Sequence, residues 1–269
     1  MHIETNRPVA FSHIGQRASN QDTVYPAANT AADSSPLFLV CDGMGGADKG
    51  EVASQLLCQG IVTYTVDAGY PVLDRVHLQA ALEQVYAAYH DYLHQHPFVN
   101  RMGSTLTLLQ FHEQGATVAH LGDSRVYQLR AGKIIFRTKD HKQVNDMVEA
   151  GIITAVQAQT HPWRNRLSRA VVVKAGEPLQ PSAQPEPDLS LLTDVRTGDS
   201  FFLCTDGVLE QIDEYALETI VAGAMSDQAK VASLLALCSE KTKDNYSGYL
   251  ISVKSVMQTA SVRKPIVTL

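Results

Sequence analysis

Two apolar runs of this chain end in the pair Asp-Gly, and this repeated ending constrains the fold more than any other feature. The runs are "FLVCDG" at 38–43 and "FFLCTDG" at 201–207. Both contain the aromatic and β-branched residues that are typical of buried strands. A glycine after the aspartate lets the backbone turn away and leaves its carbonyl group exposed. The sequence therefore predicts two carboxylates, Asp42 and Asp206, at strand ends.

Two further aspartates occupy similar places. Asp123 ends the apolar segment "AHLGD", and Asp244 lies just before the strand-like "YLISV". An isolated Asp-Gly is typical of a turn, so no single ending identifies a site. Taken together, four aspartates at strand edges with few matching cysteines or histidines describe an oxygen-only site. Such a site favours magnesium, manganese or calcium over zinc or copper.

An arginine near the N-terminus adds a phosphate-binding group to this pattern. In "GQRASNQD" at 15–22, Arg17 precedes Asp22 by five positions, near the end of the first predicted strand. The planar fork of an arginine binds phosphate through two N–H groups, while metal ions bind the remaining oxygens.

The composition limits the classes of protein to which the chain can belong. Its 269 residues are 45% hydrophobic and 19% charged, which is typical of a globular protein with a real core. A net charge of -6 argues against general affinity for nucleic acid or anionic lipid, because both require a basic face. The N-terminus lacks a signal-peptide pattern, and no apolar run approaches the ~20 residues that span a bilayer. We therefore expect a cytoplasmic protein with no nucleic-acid or membrane partner.

The four cysteines are predicted to be reduced thiols in the core. They show no CxxC spacing, and each lies inside an apolar segment, unlike the ligands of a zinc site or a disulfide framework. These residues are Cys41, Cys58, Cys204 and Cys238.

Hydrophobic periodicity predicts an antiparallel α+β fold. Apolar residues at helical spacing predict helices over 52–64, 74–95 and 227–241. Residues 125–138 read as a hairpin that turns at Ala131-Gly132. Strands are predicted at "PVAFSHI", "LFLVCD", "STLTLLQFH", "ATVAHLGD", "RVYQLR", "KIIFRT", "DSFFLCT" and "YLISV".

A proline-rich stretch at 175–188 raises the question of a domain boundary. It carries four prolines and is typical of an extended surface connector. Because the acidic positions that belong together lie on both sides of it, we predict one domain over 1–255, followed by a tail at 256–269.

The chain resembles a known family, the metal-dependent serine/threonine protein phosphatases of type 2C in their compact bacterial form. The resemblance covers roughly residues 9 to 253, and it implies a four-layer α/β/β/α sandwich in which two antiparallel sheets are flanked by helices. The motifs that carry it, in order, are "GQRASNQD", "CDGMGGADKGEVAS", "GSTLTLL", "AHLGDSRVYQLR", "DH" at 140–141, "HPWRNRLSRAV", "GDSFFLCTDGVLE" and "DN" at 244–245.

The resemblance also implies a role for each candidate residue. Asp42 would bridge two ions, and the Gly43 carbonyl would bind one of them. The other implied roles are metal ligation by Asp206 and Asp244, binding of a third ion by Asp123, a water-mediated contact by Asp22 and phosphate binding by Arg17. Two divalent ions ~3.5–4 Å apart lower the pKa of a bridging water, so that hydroxide attacks phosphorus in line and no protein nucleophile is required.

The sequence departs from the family pattern at two positions. Met44 stands where eukaryotic relatives carry a histidine that is a candidate general acid, so we assign no general acid. Gln21 replaces an acidic residue that many members have before Asp22, which affects one water-mediated contact. Residues 143–162 match the flap that the family sets beside the site, and flap contacts vary.

Other candidate groups have simpler interpretations. His90, His94 and His96 include an i, i+4 pair, but a solvated helix end explains them better than a metal site. Structural ion pairing explains the arginines of "HPWRNRLSR" better than phosphopeptide binding. Glycines 43, 45 and 46 lack the lysine and hydroxyl of a P-loop.

The expected function is hydrolysis of phosphoserine and phosphothreonine in proteins, with Mn2+ or Mg2+ as cofactor, in opposition to serine/threonine kinases. One alternative is a catalytically idle family member that binds phosphoproteins. A second is a metal phosphatase for small phosphoesters.

Overall fold

The computed structural model describes residues 1–44, 49–178 and 184–257. Its helices are α1 (Gly50–Asp67), α2 (Arg75–Gln95), α3 (Gln143–Glu149), α4 (Ala155–Thr160), α5 (Asp206–Leu209), α6 (Glu214–Ala222) and α7 (Asp227–Cys238). Its strands are β1 (His2–Thr5), β2 (Val9–His13), β3 (Asp22–Tyr25), β4 (Leu37–Met44), β5 (Arg101–Ser104), β6 (Leu106–His112), β7 (Gly115–Leu121), β8 (Arg125–Arg130), β9 (Lys133–Arg137), β10 (Val171–Lys174), β11 (Asp188–Leu192), β12 (Ser200–Cys204) and β13 (Tyr246–Met257). All eight predicted strands and all three predicted helices are confirmed.

The strands form two antiparallel sheets. The first has the order β1-β13-β12-β8-β9, with β2 also paired to β13. The second has the order β10-β5-β4-β6-β7-β11, with β3 paired to β4. The predicted hairpin joins β8 to β9, and both turn residues, Ala131 and Gly132, have positive φ. Positive φ at both central positions is typical of the tight turns that join twisted strands.

Three hydrophobic clusters give the fold its four layers. Between the two sheets lie Phe38, Val40, Leu109, Phe111, Phe201, Leu203 and Tyr249. Helices α1 and α2 cover the outer face of the second sheet through Leu39, Leu57, Ile61, Val85, Tyr89 and Leu108. Helices α6 and α7 cover the outer face of the first sheet through Tyr127, Phe202, Leu217, Leu234 and Leu250. The predicted α/β/β/α sandwich is therefore confirmed.

The period-two pattern of the strands explains this arrangement. In β4, Phe38 and Val40 face the other sheet, whereas Leu39 and Cys41 face the helices. Successive side chains of a strand point to opposite faces, so a strand buried on both sides reads as a continuous apolar run. The two runs that end in Asp-Gly are such strands.

Helix ends follow the expected capping chemistry. The Asp74 carboxylate accepts a hydrogen bond from the His77 N–H at the start of α2. The Ser226 hydroxyl does the same for the Ala229 N–H at the start of α7. Such caps satisfy backbone donors that have no partner within the helix.

The remaining sequence predictions on the fold have mixed outcomes. All four cysteines are free and buried, as predicted. Strand β13 continues to Met257, two residues past the predicted domain end, while the rest of the predicted tail lies outside the described residues. The predicted connector at 175–188 lies partly outside them too. No helix in the described part of the chain is long and apolar enough to cross a membrane.

A large-to-small substitution between the sheets tests the core. The Phe38 ring is fully buried, with ring centroids 5.3 Å from Tyr249 and 6.2 Å from Phe111. We expect Phe38→Ala to lower the free energy of unfolding by about 3–5 kcal/mol, because it removes buried apolar surface and leaves a cavity. Urea denaturation measures this change. Phe98→Ala is the control, since Phe98 is 97% exposed, and we expect it to change stability by less than about 0.5 kcal/mol. Equal effects of the two substitutions would contradict the assigned core.

Candidate metal centre

One cavity gathers most of the predicted site residues. Its volume is about 500 Å³. Of the seven predicted residues, six line it, and Asp22 lies buried at its edge. The lining residues are Arg17, Ala18, Ser19, Gln21, Asp42, Gly43, Met44, Thr105, Asp123, Asn165, Leu167, Asp206, Asp244 and Asn245.

The carboxylates come from both sheets. Asp42 lies near the end of β4 in the second sheet, where it pairs in register with Asp22 of β3. Asp206 follows β12 and begins α5, and Asp244 precedes β13, so both come from the first sheet. The Thr205 hydroxyl links the two sheets by donating a hydrogen bond of 3.0 Å to Asp22 Oδ2. The site therefore lies where the sandwich brings the two sheet edges together.

Hydrogen bonds to its backbone N–H and carbonyl groups fix the main chain of Asp42. Its N–H donates to Thr105 Oγ1 at 3.0 Å. Its carbonyl oxygen accepts from the Thr105 N–H at 2.8 Å and from the Ser104 hydroxyl at 2.9 Å. A carboxylate on a backbone held this firmly is well placed to bind a ligand in the cavity.

The glycine after Asp42 is required by a close backbone approach. A Cβ atom at Gly43 would lie 2.0 Å from the Gly50 carbonyl oxygen and 2.5 Å from the Gln21 carbonyl oxygen. No side chain fits in that space, so the Asp-Gly pair here has a packing reason in addition to its predicted role. The Gly43 N–H donates to the Gln21 carbonyl at 3.0 Å.

The crowded carboxylates have raised pKa values. Burial, together with the negative charges of neighbouring carboxylates, raises the pKa of Asp22 to about 7 and that of Asp206 to about 7. The same causes raise the pKa of Asp42 well above its usual range. Placing several negative charges together in a poorly solvated region is unfavourable unless a cation compensates them.

The donor set fits divalent cations. Among the described residues, Asp22 Oδ1 and Asp206 Oδ1 are buried carboxylate oxygens without any hydrogen-bond partner. Buried polar atoms are almost always paired, so two buried carboxylate oxygens of this kind suit a positively charged ligand. Carboxylate and carbonyl oxygens are the ligands that Mg2+ and Mn2+ prefer. Of the residues that fit, Asp42, Gly43, Asp123, Asp206 and Asp244 face the cavity.

Two cations of the protein also contact this group of carboxylates. Arg17 donates from Nε to Asp244 Oδ1 at 2.8 Å and from Nη2 to Asp244 Oδ2 at 2.6 Å. The Lys142 ammonium lies 3.1 Å from Asp123 Oδ2. The sequence predicts that Arg17 binds phosphate. In the structure Arg17 lines the cavity, and its guanidinium is paired with the Asp244 carboxylate. Its side chain is 58% exposed, which leaves its remaining donors accessible.

Two residues at the site, Lys142 and Asn245, have no role predicted from the sequence. Asn245 follows Asp244 in the motif "DN", and its amide donates to the Ile14 and Ser19 carbonyls at 2.8 and 2.9 Å. It thereby ties the loop that carries Arg17 to the start of β13. Lys142 directly follows the motif "DH", which was the signal that could have drawn attention to it.

A second acidic and histidine group lies apart from the cavity lining. His120, His141 and Asp188 have potential ligand atoms within 4.8 Å of one another. However, His141 Nδ1 accepts from the Gly122 N–H at 3.1 Å, and His141 Nε2 lies 3.1 Å from Asp188 Oδ2. Both ring nitrogens of His141 are therefore engaged, and neither offers a free lone pair to an ion. The group is better explained as a hydrogen-bonded link between β7, β11 and the segment before α3.

The histidines of α2 and its end, and the arginines at 164, 166 and 169, lie outside the cavity lining. The rings of His90 and His94 are 4.6 Å apart near the end of α2. Arg166 lies over the Trp163 ring, and Arg169 pairs with Asp188, in keeping with their predicted structural roles. Met44 does line the cavity, and it brings no titratable group to it. Glycines 45 and 46 lie outside the described residues.

Comparison with known proteins decides the family. A family model for protein phosphatase 2C matches residues 11–237. The chain belongs to the protein phosphatase 2C family. This finding agrees with the resemblance of the sequence motifs and with the two-sheet sandwich.

Members of the protein phosphatase 2C family resemble the chain in sequence and in structure. The serine/threonine protein phosphatase PstP of Mycobacterium tuberculosis is 34% identical over 223 residues, which cover 82% of this chain and 40% of that protein. The chain thus spans about two fifths of that curated relative. The crystal structure of M. tuberculosis PstP/Ppp has a TM-score of 0.75 at 30% identity, covering 93% of this chain and 99% of that one. A PstP catalytic domain in complex with two manganese ions has a TM-score of 0.72 at 31% identity, with the same coverage.

The raised pKa values predict how stability depends on pH and metal. A carboxyl group with a folded pKa near 7 holds its proton more tightly than in the unfolded chain, where the pKa is about 3.9. Its protonation therefore favours the folded state below about pH 4, and this contribution is lost as the pH rises to about 7. We expect metal-free Asp206→Asn protein to gain melting temperature relative to metal-free wild type between about pH 5 and about pH 7.5, because the amide stays neutral.

Manganese should reverse that order. With saturating Mn2+ at about pH 7.5, we expect the wild-type melting temperature to rise by about 5 °C or more, since the ion binds only the folded state, and the variant to gain less. Differential scanning fluorimetry with and without chelator measures both effects. A wild-type melting temperature that does not change when Mn2+ is added would contradict the metal centre.

Proposed function

We propose that this chain is a metal-dependent phosphatase that hydrolyses phosphoserine and phosphothreonine in proteins. One observation carries the proposal: four carboxylates from two sheets line one cavity together with an arginine, and two buried carboxylate oxygens at its edge lack partners. A site with this composition can bind divalent cations and a phosphate group at the same time. Membership of the protein phosphatase 2C family supports the same reaction.

The metal ligands in this proposal are Asp42, the Gly43 carbonyl, Asp206 and Asp244, with Asp22 acting through a water. Two Mn2+ or Mg2+ ions held there would lower the pKa of a coordinated water and neutralise charge on the phosphate during in-line attack. The family neighbour that contains two manganese ions supports the number and type of ion.

Protein side chains bind and orient the substrate in this proposal. Arg17 lies at the cavity, where its exposed guanidinium can bind phosphate oxygens while it remains paired with Asp244. Because Asp244 holds two of its donors, the arginine is oriented before substrate arrives. A phosphate bound there would lie next to the metal ligands.

Among the described residues, no cysteine and no histidine that could activate a hydroxyl group line the cavity. The four cysteines are buried in the core and do not line the cavity. The Thr105 hydroxyl already contacts the Ser124 hydroxyl at 2.8 Å and the Asp42 N–H at 3.0 Å. Direct attack by water on phosphorus therefore suits this site better than a covalent enzyme intermediate.

The proposed substrates are phosphoproteins. Serine/threonine kinases are the enzymes that would produce them. The curated relative PstP is named a serine/threonine protein phosphatase. An idle phosphoprotein-binding protein is the less favoured alternative, because a site without catalysis has no physical reason to keep Asp42, Asp206 and Asp244 together uncompensated. The cytoplasmic location stays a prediction from the sequence.

Hydrolysis of a phosphothreonine peptide tests the proposal. We expect release of inorganic phosphate with Mn2+ and none with excess chelator. Asp206→Asn should lower kcat/KM by at least about 100-fold, because it removes a charged metal ligand. Asp67→Asn is the matched control, since Asp67 is exposed at the end of α1, and it should keep full activity.

The outcomes separate the candidate functions. Turnover of nucleotides or sugar phosphates without turnover of the peptide would favour the small-phosphoester alternative. Binding of Mn2+ and phosphopeptide without any turnover would favour the idle protein. Full activity of Asp206→Asn would contradict the assigned site.

A further inference from the structure

Lys142 is a partly buried cation beside Asp123 and Asp140, and the proposed reaction assigns no role to it. Its ammonium lies 3.1 Å from Asp123 Oδ2 and 3.6 Å from Asp140 Oδ2. The lysine side chain is 19% exposed and each of the two aspartate side chains 7%. A lysine buried to this extent is normally retained only where carboxylates compensate its charge.

The backbone around Lys142 is fixed on both sides. The His141 N–H donates to the Gly122 carbonyl at 2.9 Å, next to Asp123. Lys142 itself forms an isolated β-bridge with Leu167, and it occupies the N-cap position of α3 without a side-chain capping hydrogen bond. The fold therefore fixes the main chain of Lys142 directly beside the loop that carries Asp123.

The two aspartates depend on Lys142 to different degrees. Asp140 also binds Arg125 through two hydrogen bonds, of 2.6 and 2.9 Å, so it keeps a cationic partner without the lysine. Among the described residues, Asp123 has Lys142 as its one ion-pair partner. Removing the ammonium would therefore leave Asp123 as a buried, uncompensated carboxylate that faces the cavity.

The ammonium also acts on the metal-binding side of the cavity. Asp123, whose carboxylate lies 3.1 Å from the ammonium, lines this cavity together with Asp206. A divalent ion placed between them would be repelled by that cation at short range.

On these grounds, and resting on the proposed metal-dependent function, we propose that Lys142 is a resident cation that takes the place of a third metal ion at Asp123. The chain then holds two divalent ions, at Asp42, Asp206 and Asp244. The Lys142 ammonium supplies the third positive charge. The resemblance to bacterial family members alone implied a third ion at Asp123, so this inference departs from that expectation.

Counting bound manganese tests the inference without using catalysis. Free Mn2+ gives a sharp electron paramagnetic resonance signal that is lost on binding, so a titration yields the number of ions bound per chain. We expect two ions on wild-type protein. Lys142→Gln should bind one more ion. Its affinity for this third ion should be at least about tenfold higher than the affinity of the wild-type protein for a third ion.

Three further variants identify the cause. Lys142→Arg keeps the cation and should bind two ions. The double variant Lys142→Gln/Asp123→Asn should return to two, because the carboxylate that would hold the extra ion is gone. Lys139→Gln is the matched control, since Lys139 is an exposed lysine three residues away that pairs with Glu149, and it should also bind two. Melting temperatures with Mn2+ check that every variant is folded.

The outcomes distinguish this inference from the proposed function. Three ions on wild-type protein, or no additional ion on Lys142→Gln, would overturn the role of Lys142 and leave the proposed function intact. An additional ion on Lys142→Gln that survives Asp123→Asn would also overturn it. Absence of any bound Mn2+ on folded wild-type protein would contradict the metal-dependent function itself.

Discussion

Electrostatic repulsion among buried carboxylates is the constraint on which the site depends. Burial raises the pKa values of Asp22, Asp42 and Asp206, and the negative charges of neighbouring carboxylates raise each of them further. Such a group persists in a folded protein only when other interactions hold it in place and cations compensate it. The two-sheet core provides the first condition. Arg17, Lys142 and the proposed divalent ions provide the second.

The sandwich explains why the carboxylates meet. Phe201 and Phe111 pack edge to face between the sheets, with ring centroids 5.3 Å apart, in the same layer as Phe38 and Tyr249. Strands β4 and β12 are buried on both faces, so their registers are strongly specified. The registers therefore fix the positions of the polar residues that follow these strands at the sheet edges. The hydrogen bond from Thr205 to Asp22 then joins the two sheets at the site itself.

Much of this arrangement could be predicted from the sequence, because it depends on long, regular patterns. The strands that end in Asp42 and Asp206 and the long helix at 74–95 carry strong periodicity, and the structure has all of them. The short strands β1, β3, β5, β10 and β11 were missed, since four or five residues carry too little pattern to separate from loops. Helices α3 to α6 were also missed, since they have only four to nine residues and their stability depends on packing that the sequence alone does not reveal.

Contacts between distant segments were the other limit. Arg17 and Asp244 are 227 positions apart, and their bidentate pair follows from the sheet topology that brings β2 beside β13. Lys142 contacts Asp123 because the segment before α3 folds back on Gly122, which no local pattern indicates. The histidine group at His120 and His141 shows the converse. Its residue types suit a metal, but the hydrogen bonds made by His141 use both ring nitrogens.

The most direct test of the central claim is to locate manganese in crystals of this protein by anomalous diffraction at the manganese edge. The account predicts two anomalous peaks, both within coordination distance of the Asp42 carboxylate, with Asp206 and Asp244 as further ligands. Peaks at the His120 and His141 group, or no peak beside Asp42 at saturating Mn2+, would contradict it.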